Sequence, residues 1–431
     1  MTEHDSHHLL DPAGGLPEAL PPWTGRDKLR ITRVRPIVTA PEGIPLVVVR
    51  VDTSDDGLYG LGCATFTQRF AAVAAAVTEH VAPLAIGRHP ADIEDITRLV
   101  HYSSYWRGGP VLNNALSGLD QALWDIAGKR AGMPVYELIG GRSRAGVEVY
   151  THAAGPSIDV TLDQAEQLRA AGYRNIRLQV GGKGPGTYGA PGTLGGYPRS
   201  PHRDGWEPEE YLREVPRLFA AARERLGDDI NLMHDVHSRL TPKQAIVLAR
   251  SLEPYHLAFL EDVIAPELYH RLPEVRAASP MPLAVGEQIG SVTDAARLIR
   301  DGGVDLLRLH TSAVGGLTPT RKLVAMAELT GVRTAFHSPG DITPVGVAAN
   351  LALDVSTPAF GYQESHEYND ATHEVFPGTP VVADGHLYPS DEPGWGVDLD
   401  EQAAAKFPPT YHLFERWVAQ VRKPDGSLEA P

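Results

Sequence analysis

The rhythm of apolar positions changes twice along the chain. Between 30 and 65 the segments ITRVRPIVTA and IPLVVVRVDTSDDGLYGLGCATF read as extended, and the DDG at 55–57 between two apolar runs marks a hairpin. Helical spacing follows in an Ala-rich stretch at 69–87, a short one near 92–101, and a longer one at 113–132. In the last, Ala115, Leu119, Ala122, Leu123 and Ile126 form one stripe that stops at Gly132-Met133-Pro134. After 147 the pattern becomes short apolar run, then helix, repeatedly. VEVYTH, NIRLQV, INLMHDV, LAFLED, PLAVGE, DLLRLH, RTAFHS and FGYQES read as strands. Between them stand helical stretches such as LDQAEQLRAAG, PEEYLREVPRLFAAARERLG, VTDAARLIRDGG and TPKQAIVLARSLEP, the last opened by Thr241 as cap and Pro242 in its first turn. This alternation predicts an α/β chain: a modified TIM-like (β/α) barrel behind an N-terminal α+β capping domain, with an open doubly wound sheet as the alternative. The expected divisions are an extension at 1–28, the capping domain at 29–145, the barrel at 146–365, and a segment at 366–431 that returns to the capping domain.

A length of 431 residues fits two domains. The net charge of −15 argues against a nucleic-acid partner, which demands clustered Lys and Arg. The single cysteine, Cys63, rules out an internal disulfide framework and suits a reducing cytoplasm. No run of about 18 apolar residues is present to span a membrane. Residues 1–28 lack the basic start and apolar centre of a signal peptide.

The chemical signal lies at the strand ends. INLMHDV carries Asp235, LAFLED carries Glu261 and PLAVGE carries Glu287, each 26 positions after the one before. One strand–helix unit fills each interval, so three carboxylates project from one rim. A single acidic strand end is commonplace, but three together repel by roughly 4 kcal/mol per 4 Å pair unless a cation joins them. Oxygen-only ligands favour Mg²⁺. His152, Arg177, Arg308, His337, Asp341 and Glu364 stand at or near the other strand ends, and an Arg pair beside a metal suits a carboxylate-bearing substrate. A lone buried His or Arg is more often structural; a polar residue at every strand end is harder to assign to packing. His237, two positions past Asp235, is expected on the same strand face.

The segment 181–206 holds nine glycines and would overhang this rim. Its GPGTYG (Gly184 to Gly189) fits the dinucleotide fingerprint G-x-G-x-x-G, but APGTLGGYP follows, which cannot form the helix that holds a pyrophosphate. Tyr188 in this loop is close enough in sequence to Arg177 for the guanidinium to stabilise a phenolate, which makes it a plausible base.

With its capping domain, its barrel and its three acidic strand ends, the chain resembles the enolase superfamily over nearly all of its length after residue 30. YWRGGP, LWDIAGKRAGMPVYELIGGRSR, YTHA, DVHSRL, FLED, GEQ, LLRLH and HSPGD resemble its mannonate dehydratase subgroup. Strand two reads Arg177-Leu178-Gln179, without the Lys-x-Lys of the racemase and cycloisomerase branches. The resemblance implies Mg²⁺ on Asp235, Glu261 and Glu287. It implies proton abstraction beside the substrate carboxylate by a Tyr188–Arg177 dyad, protonation of the leaving hydroxyl by His237, and a 2-keto-3-deoxy sugar acid as product. His152, Arg308, His337, Asp341 and Glu364 match positions that line the substrate. The expected partner is a small acid sugar such as mannonate or gluconate, and a homo-oligomer is expected. Ile44 stands near where the subgroup usually has Asn, the tail KPDGSLEAP lacks its Trp, and Pro339 fills a position that varies. Some members carry a starvation-sensing name. The alternative is therefore a catalytically weak or inactive member that binds a sugar acid for regulation.

Overall fold

The computed structural model describes residues 27–180 and 207–409. Strands β1 (Ile31–Thr39), β2 (Leu46–Thr53) and β3 (Tyr59–Cys63) form an antiparallel meander, and Gly57, at φ 87, turns the expected hairpin. Helix α1 (Ile93–Tyr102) and the long α2 (Pro110–Ala131) pack on it. The stripe expected on α2 is there, but burial extends around it to Ser117, Asp120, Gln121 and Asp125. This helix is sandwiched: one side meets the meander, and the other reaches the barrel through Asn113, which donates to Gly290 O and Ala313 O at 2.6 and 2.8 Å. The buried polar residues are paired on both sides: Ser117 and Gln121 with the Cys63 backbone and Asp125 with Leu61 N–H on the meander, Asn113 and Asp120 with the barrel. Asp120 Oδ2, for example, accepts from Thr318 N–H at 2.9 Å.

The barrel strands are β4 (Val147–Gly155), β5 (Asn175–Val180), β6 (Asn231–Asp235), β7 (Phe259–Glu261), β8 (Leu283–Val285), β9 (Leu306–Leu307), β10 (Arg333–Thr334) and β11 (Gln363–Glu364). Neighbours from β4 to β10 pair parallel in chain order, and β11 pairs β4. A parallel bridge between Thr334 and Phe360 closes the ring. The helices are α3 (Ile158–Ala170), α4 (Pro208–Leu226), α5 (Pro242–Leu252), α6 (Leu272–Ala278), α7 (Val292–Arg300), α8 (Leu317–Thr330) and α9 (Pro344–Ser356). Thr241 and Gln244 make the capping box at the start of α5. An open sheet is thus excluded, and the barrel with its capping domain stands.

After the barrel, β12 (Val382–Ala383) and β13 (His386–Leu387) form a hairpin that pairs antiparallel with the start of β4. Trp395 then donates from Nε1 to Leu61 O at 3.0 Å, and Glu401 takes Arg35 and Arg50 of the meander.

Period-two alternation organises the barrel interior. Tyr150, Met233, Phe259, Ala284, Leu306 and Ala335 form an apolar layer, with Tyr362 packed against it. Two residues further along each strand, the same inward direction delivers His152, Asp235, Glu261, Arg308, His337 and Glu364. The apolar layer closes the bottom, and charge is gathered above it at the C-terminal ends of the strands.

Candidate functional site

Two guanidinium groups occupy the middle of the charged layer. Arg177 Nη1 lies 2.8 Å from Glu261 Oε1, 3.4 Å from Asp235 Oδ2 and 3.5 Å from Glu364 Oε1. Arg308 reaches Glu261 Oε1 at 2.7 Å, Glu287 Oε2 at 2.6 Å and Glu364 Oε2 at 2.5 Å. Both arginines are fully buried. His152 donates from Nε2 to Glu364 Oε1 at 2.7 Å; burial and Arg177 push it down to about 4, so it is neutral at working pH. His337 lies 2.9 Å from Glu287 and 3.4 Å from Asp341. Burial opposes its charge, but Glu287 and Asp341 push it up to about 10. His337 Nδ1 and Arg308 Nη1, 2.8 Å apart, are then two donors converging on Glu287 Oε2 rather than a hydrogen-bonded pair.

The carboxyl groups still outnumber these cations. Burial pushes Glu261 up to about 8 despite Arg177 and Arg308, and burial with Glu287 and Glu261 holds Asp262 well above the carboxylate range. Among the described residues, Glu261 Oε2 and Asp262 Oδ2 are buried without a hydrogen-bond partner. Oxygens of Glu261, Asp262 and Glu287 gather within 4.8 Å of one another. Three carboxyl groups gathered this closely, two of them buried with an unpartnered oxygen among the described residues, are a donor set that fits a hard divalent cation.

The structure brings Asp235, Glu261 and Glu287 to one rim by a route that their equal spacing does not describe. Asp235 pairs directly with Glu261, but the register partner of Glu261 on β8 is Ala284. Glu287 stands beyond the strand, turned inward by Gly286 at φ 148. A Cβ at Gly286 would come within 3.0 Å of the Arg308 backbone, so only glycine permits this approach. Asp235 lies outside the tight group: its Oδ1 accepts from His237 N–H at 2.7 Å and its Oδ2 faces Arg177.

The shared strand face expected for Asp235 and His237 is corrected. Strand β6 ends at Asp235, and His237 and Ser238 turn in the left-handed region at φ 58 and 63. That turn nevertheless brings His237 Nε2 to 4.0 Å from both Asp235 Oδ2 and Glu287 Oε1. Tyr188, the GPGTYG motif and the C-terminal tail lie outside the described residues.

Residues that sequence reasoning missed include Asp262, His310 and Glu42. His310 stacks on His337 with ring centroids 5.2 Å apart. Glu42, between β1 and β2, pairs with His366 at 2.7 Å and accepts from Asn369 N–H and the Thr372 hydroxyl. It thereby ties the loop that carries Ile44 to the segment after β11. Among the described residues no helix is long and apolar enough to cross a membrane.

Comparison with known proteins agrees with this architecture. Residues 28–140 match the mandelate racemase/muconate lactonizing enzyme N-terminal domain, and 160–403 match the enolase C-terminal domain-like family. A D-galactonate dehydratase family member from Catenulispora acidiphila is 82% identical, covering 99% of this chain and 100% of that protein. The family member RspA from Pantoea ananatis is 47% identical over 94% of this chain and 99% of its own. A crystal structure of an enolase from Pantoea ananatis with bound D-gluconate and Mg superposes with a TM-score of 0.86 at 46% identity, covering 94% of this chain and all of that one. These relatives carry the D-galactonate dehydratase family name and not the mannonate dehydratase name of the subgroup first resembled. The chain belongs to the enolase superfamily and, within it, to the D-galactonate dehydratase family.

Proposed function

We propose that this protein dehydrates an acid sugar of the gluconate or mannonate kind to a 2-keto-3-deoxy acid, using a divalent cation, Mg²⁺, held by Asp235, Glu261 and Glu287. The observation that supports a cation here is the gathering of Glu261, Asp262 and Glu287 oxygens within 4.8 Å of one another, in a layer already threaded by Arg177 and Arg308; Asp235, outside that group but paired in register with Glu261, comes into the ligand set from the family resemblance. A related structure that holds D-gluconate and Mg supports the choice of ligand class. When bound, the cation supplies Lewis acidity and neutralises charge that develops on the substrate carboxylate.

The chain's own residues divide the remaining work. Arg308 and His337 present positive charge at the rim for an anionic oxygen. Tyr188 takes the proton next to the carboxylate, with the Arg177 guanidinium as the second member of that dyad, as the family resemblance implies. His237, beside Asp235 and Glu287, gives a proton to the departing hydroxyl. His152, Asp341 and Glu364 position the hydroxyl groups. Glu364 is fixed for that task by His152, Arg308 and the Ser338 N–H at 2.8 Å.

The test is incubation of purified protein and Mg²⁺ with a panel of acid sugars, followed by assay for 2-keto-3-deoxy acids. Absence of turnover on every acid would overturn the dehydratase reading. The second reading, a binder without turnover, rests on the loop at 40–45. Its one acidic side chain, Glu42, is taken up by His366, Asn369 and Thr372, and beside it stands apolar Ile44. Calorimetric binding of an acid sugar with no product would favour it.

A further inference from the structure

The division of labour above leaves His310 without a task. The chain is still bonded as a strand on either side of Arg308: its N–H donates to Val285 O at 3.0 Å, and His337 N–H donates to Leu309 O at 3.1 Å. His310, two positions beyond Arg308, therefore faces the same interior one step nearer the mouth. Its ring lies on the His337 ring, with centroids 5.2 Å apart and planes inclined by 23°. The Ala313 N–H, shared with the His310 carbonyl at 2.9 Å, also points at Nδ1 at 3.2 Å. Nδ1 is thus an acceptor, and the hydrogen of the neutral ring sits on Nε2. Burial and the neighbouring His337 charge push His310 down to about 4, which keeps it in this neutral form at working pH. Nε2 has no hydrogen-bond partner among the described residues, and the side chain is half-buried beside the charged layer.

With Nδ1 taken up by the Ala313 N–H, the ring offers only its Nε2–H, a poor acid that is free neither to take a proton nor to bind a metal through Nδ1. It is suited to a neutral oxygen. Arg308 already offers full positive charge near a carboxylate. We propose that His310 is a specificity-determining residue that donates its Nε2–H to a hydroxyl group of the acid sugar, away from the carboxylate end. This rests on the acid-sugar reading of the site. The stack on His337 serves the same end, because it fixes the ring plane and with it the direction of the donor.

Two substitutions separate donation from packing. His310→Phe keeps a ring to lie on His337 and removes the donor; His310→Gln keeps a donor and loses the ring. D-gluconate and a set of its monodeoxy analogues serve as probes, read by KM, kcat and calorimetry in the presence of Mg²⁺, with thermal melts as the folding control. His310→Phe is expected to raise KM or Kd for D-gluconate by about 10-fold, the loss of one hydrogen bond to a group left buried. One deoxy analogue should be bound equally by wild type and variant, and His310→Gln should retain part of the preference for the hydroxylated acid. A folded His310→Phe that matches wild type on D-gluconate, or that loses equally on every analogue, overturns the assignment while leaving the dehydratase reading intact. A wild type that binds D-gluconate without turning it over removes the dehydratase reading and leaves the His310 comparison readable by calorimetry. A wild type that binds none of the acids overturns both.

Discussion

Arg308 offers the sharpest test of the charge balance in the barrel mouth. Its guanidinium meets Glu261, Glu287 and Glu364 at 2.7, 2.6 and 2.5 Å, and it is fully buried. Arg308→Met keeps much of the volume and deletes the charge. Removing one partner of a buried ion pair costs about 3–5 kcal/mol, because the other charge is left uncompensated. Proton uptake by the stranded carboxyls limits the loss, since a buried carboxylate without a partner neutralises. A net cost of about 4 kcal/mol is therefore expected without metal. With an unfolding entropy of about 2.1 cal/mol/K per residue over the whole chain, this lowers Tm by roughly 4–5 °C if the chain unfolds as one unit.

Added Mg²⁺ should then raise Tm more in the variant than in wild type. The cation enters the same carboxylates without opposition from the guanidinium, an interaction of about 4 kcal/mol per pair of unit charges 4 Å apart at an effective dielectric of 20. Arg308→Lys, which keeps the charge and loses the fork, should fall between the two. The assay is a thermal melt of each protein with and without Mg²⁺. A loss below about 1 kcal/mol in the metal-free variant, or a Mg²⁺ increment no larger than in wild type, would refute the claim that Arg308 and a cation share these ligands.

Three further outcomes follow from the site and its supports. Glu261→Gln should abolish both the Mg²⁺ binding isotherm and turnover; saturable Mg²⁺ binding of wild-type strength would move the ligand assignment elsewhere. Tyr188→Phe should stop exchange of the substrate's alpha proton in deuterated water, while His237→Asn should permit exchange and block dehydration. Exchange persisting in the Tyr188 variant would move the base elsewhere. Asp120, pushed by burial up to about 7 from 3.8, keeps a proton in the folded state that the unfolded chain has already lost. Its contribution to stability is full below about pH 4 and declines as pH rises toward 7, by at most about 1.4 kcal/mol per unit. Asp120→Asn, which retains an acceptor for the Thr318 N–H, should flatten that slope in urea melts and match or exceed wild-type stability at pH 8. A variant clearly weaker at pH 8 would mean that the charge at the start of α8 outweighs its burial.

The barrel was legible because each strand is a short apolar run closed by a polar residue, and α3, α5, α7 and α9 each open on a Ser or Thr cap, as α5 does on Thr241. The inner layer was legible for the same reason: period two carries Met233 into Asp235 and Phe259 into Glu261. Contacts made across the chain left no local trace. Glu42 finds its partners more than 320 positions away, and nothing in APEGIPLV signals His366. Asp262 sits beside a strand-end Glu, where an acidic pair reads as solvation, yet its backbone turns at φ 37 and carries the carboxyl inward.

The equal spacing of Asp235, Glu261 and Glu287 does not correspond to an equal register on the strands. Were all three in register, period two would place residue 286 inward on β8, and 287 would face the helices. The residue at 286 is a glycine whose φ of 148 no other residue adopts easily, and its missing Cβ lets the Arg308 backbone close in. The strand stops short at Val285, and the reversal at Gly286 delivers Glu287 to the rim from a turn. A turn residue is freer than a strand residue to meet several partners, and Glu287 does so: Arg308, His337 and His237 approach it from different strands. Any side chain at 286 would sit in a strained φ and press on the Arg308 backbone, which would have to give by a few tenths of an ångström. The glycine at 286 is therefore what brings Glu287 to the rim beside Arg308, His337 and His237.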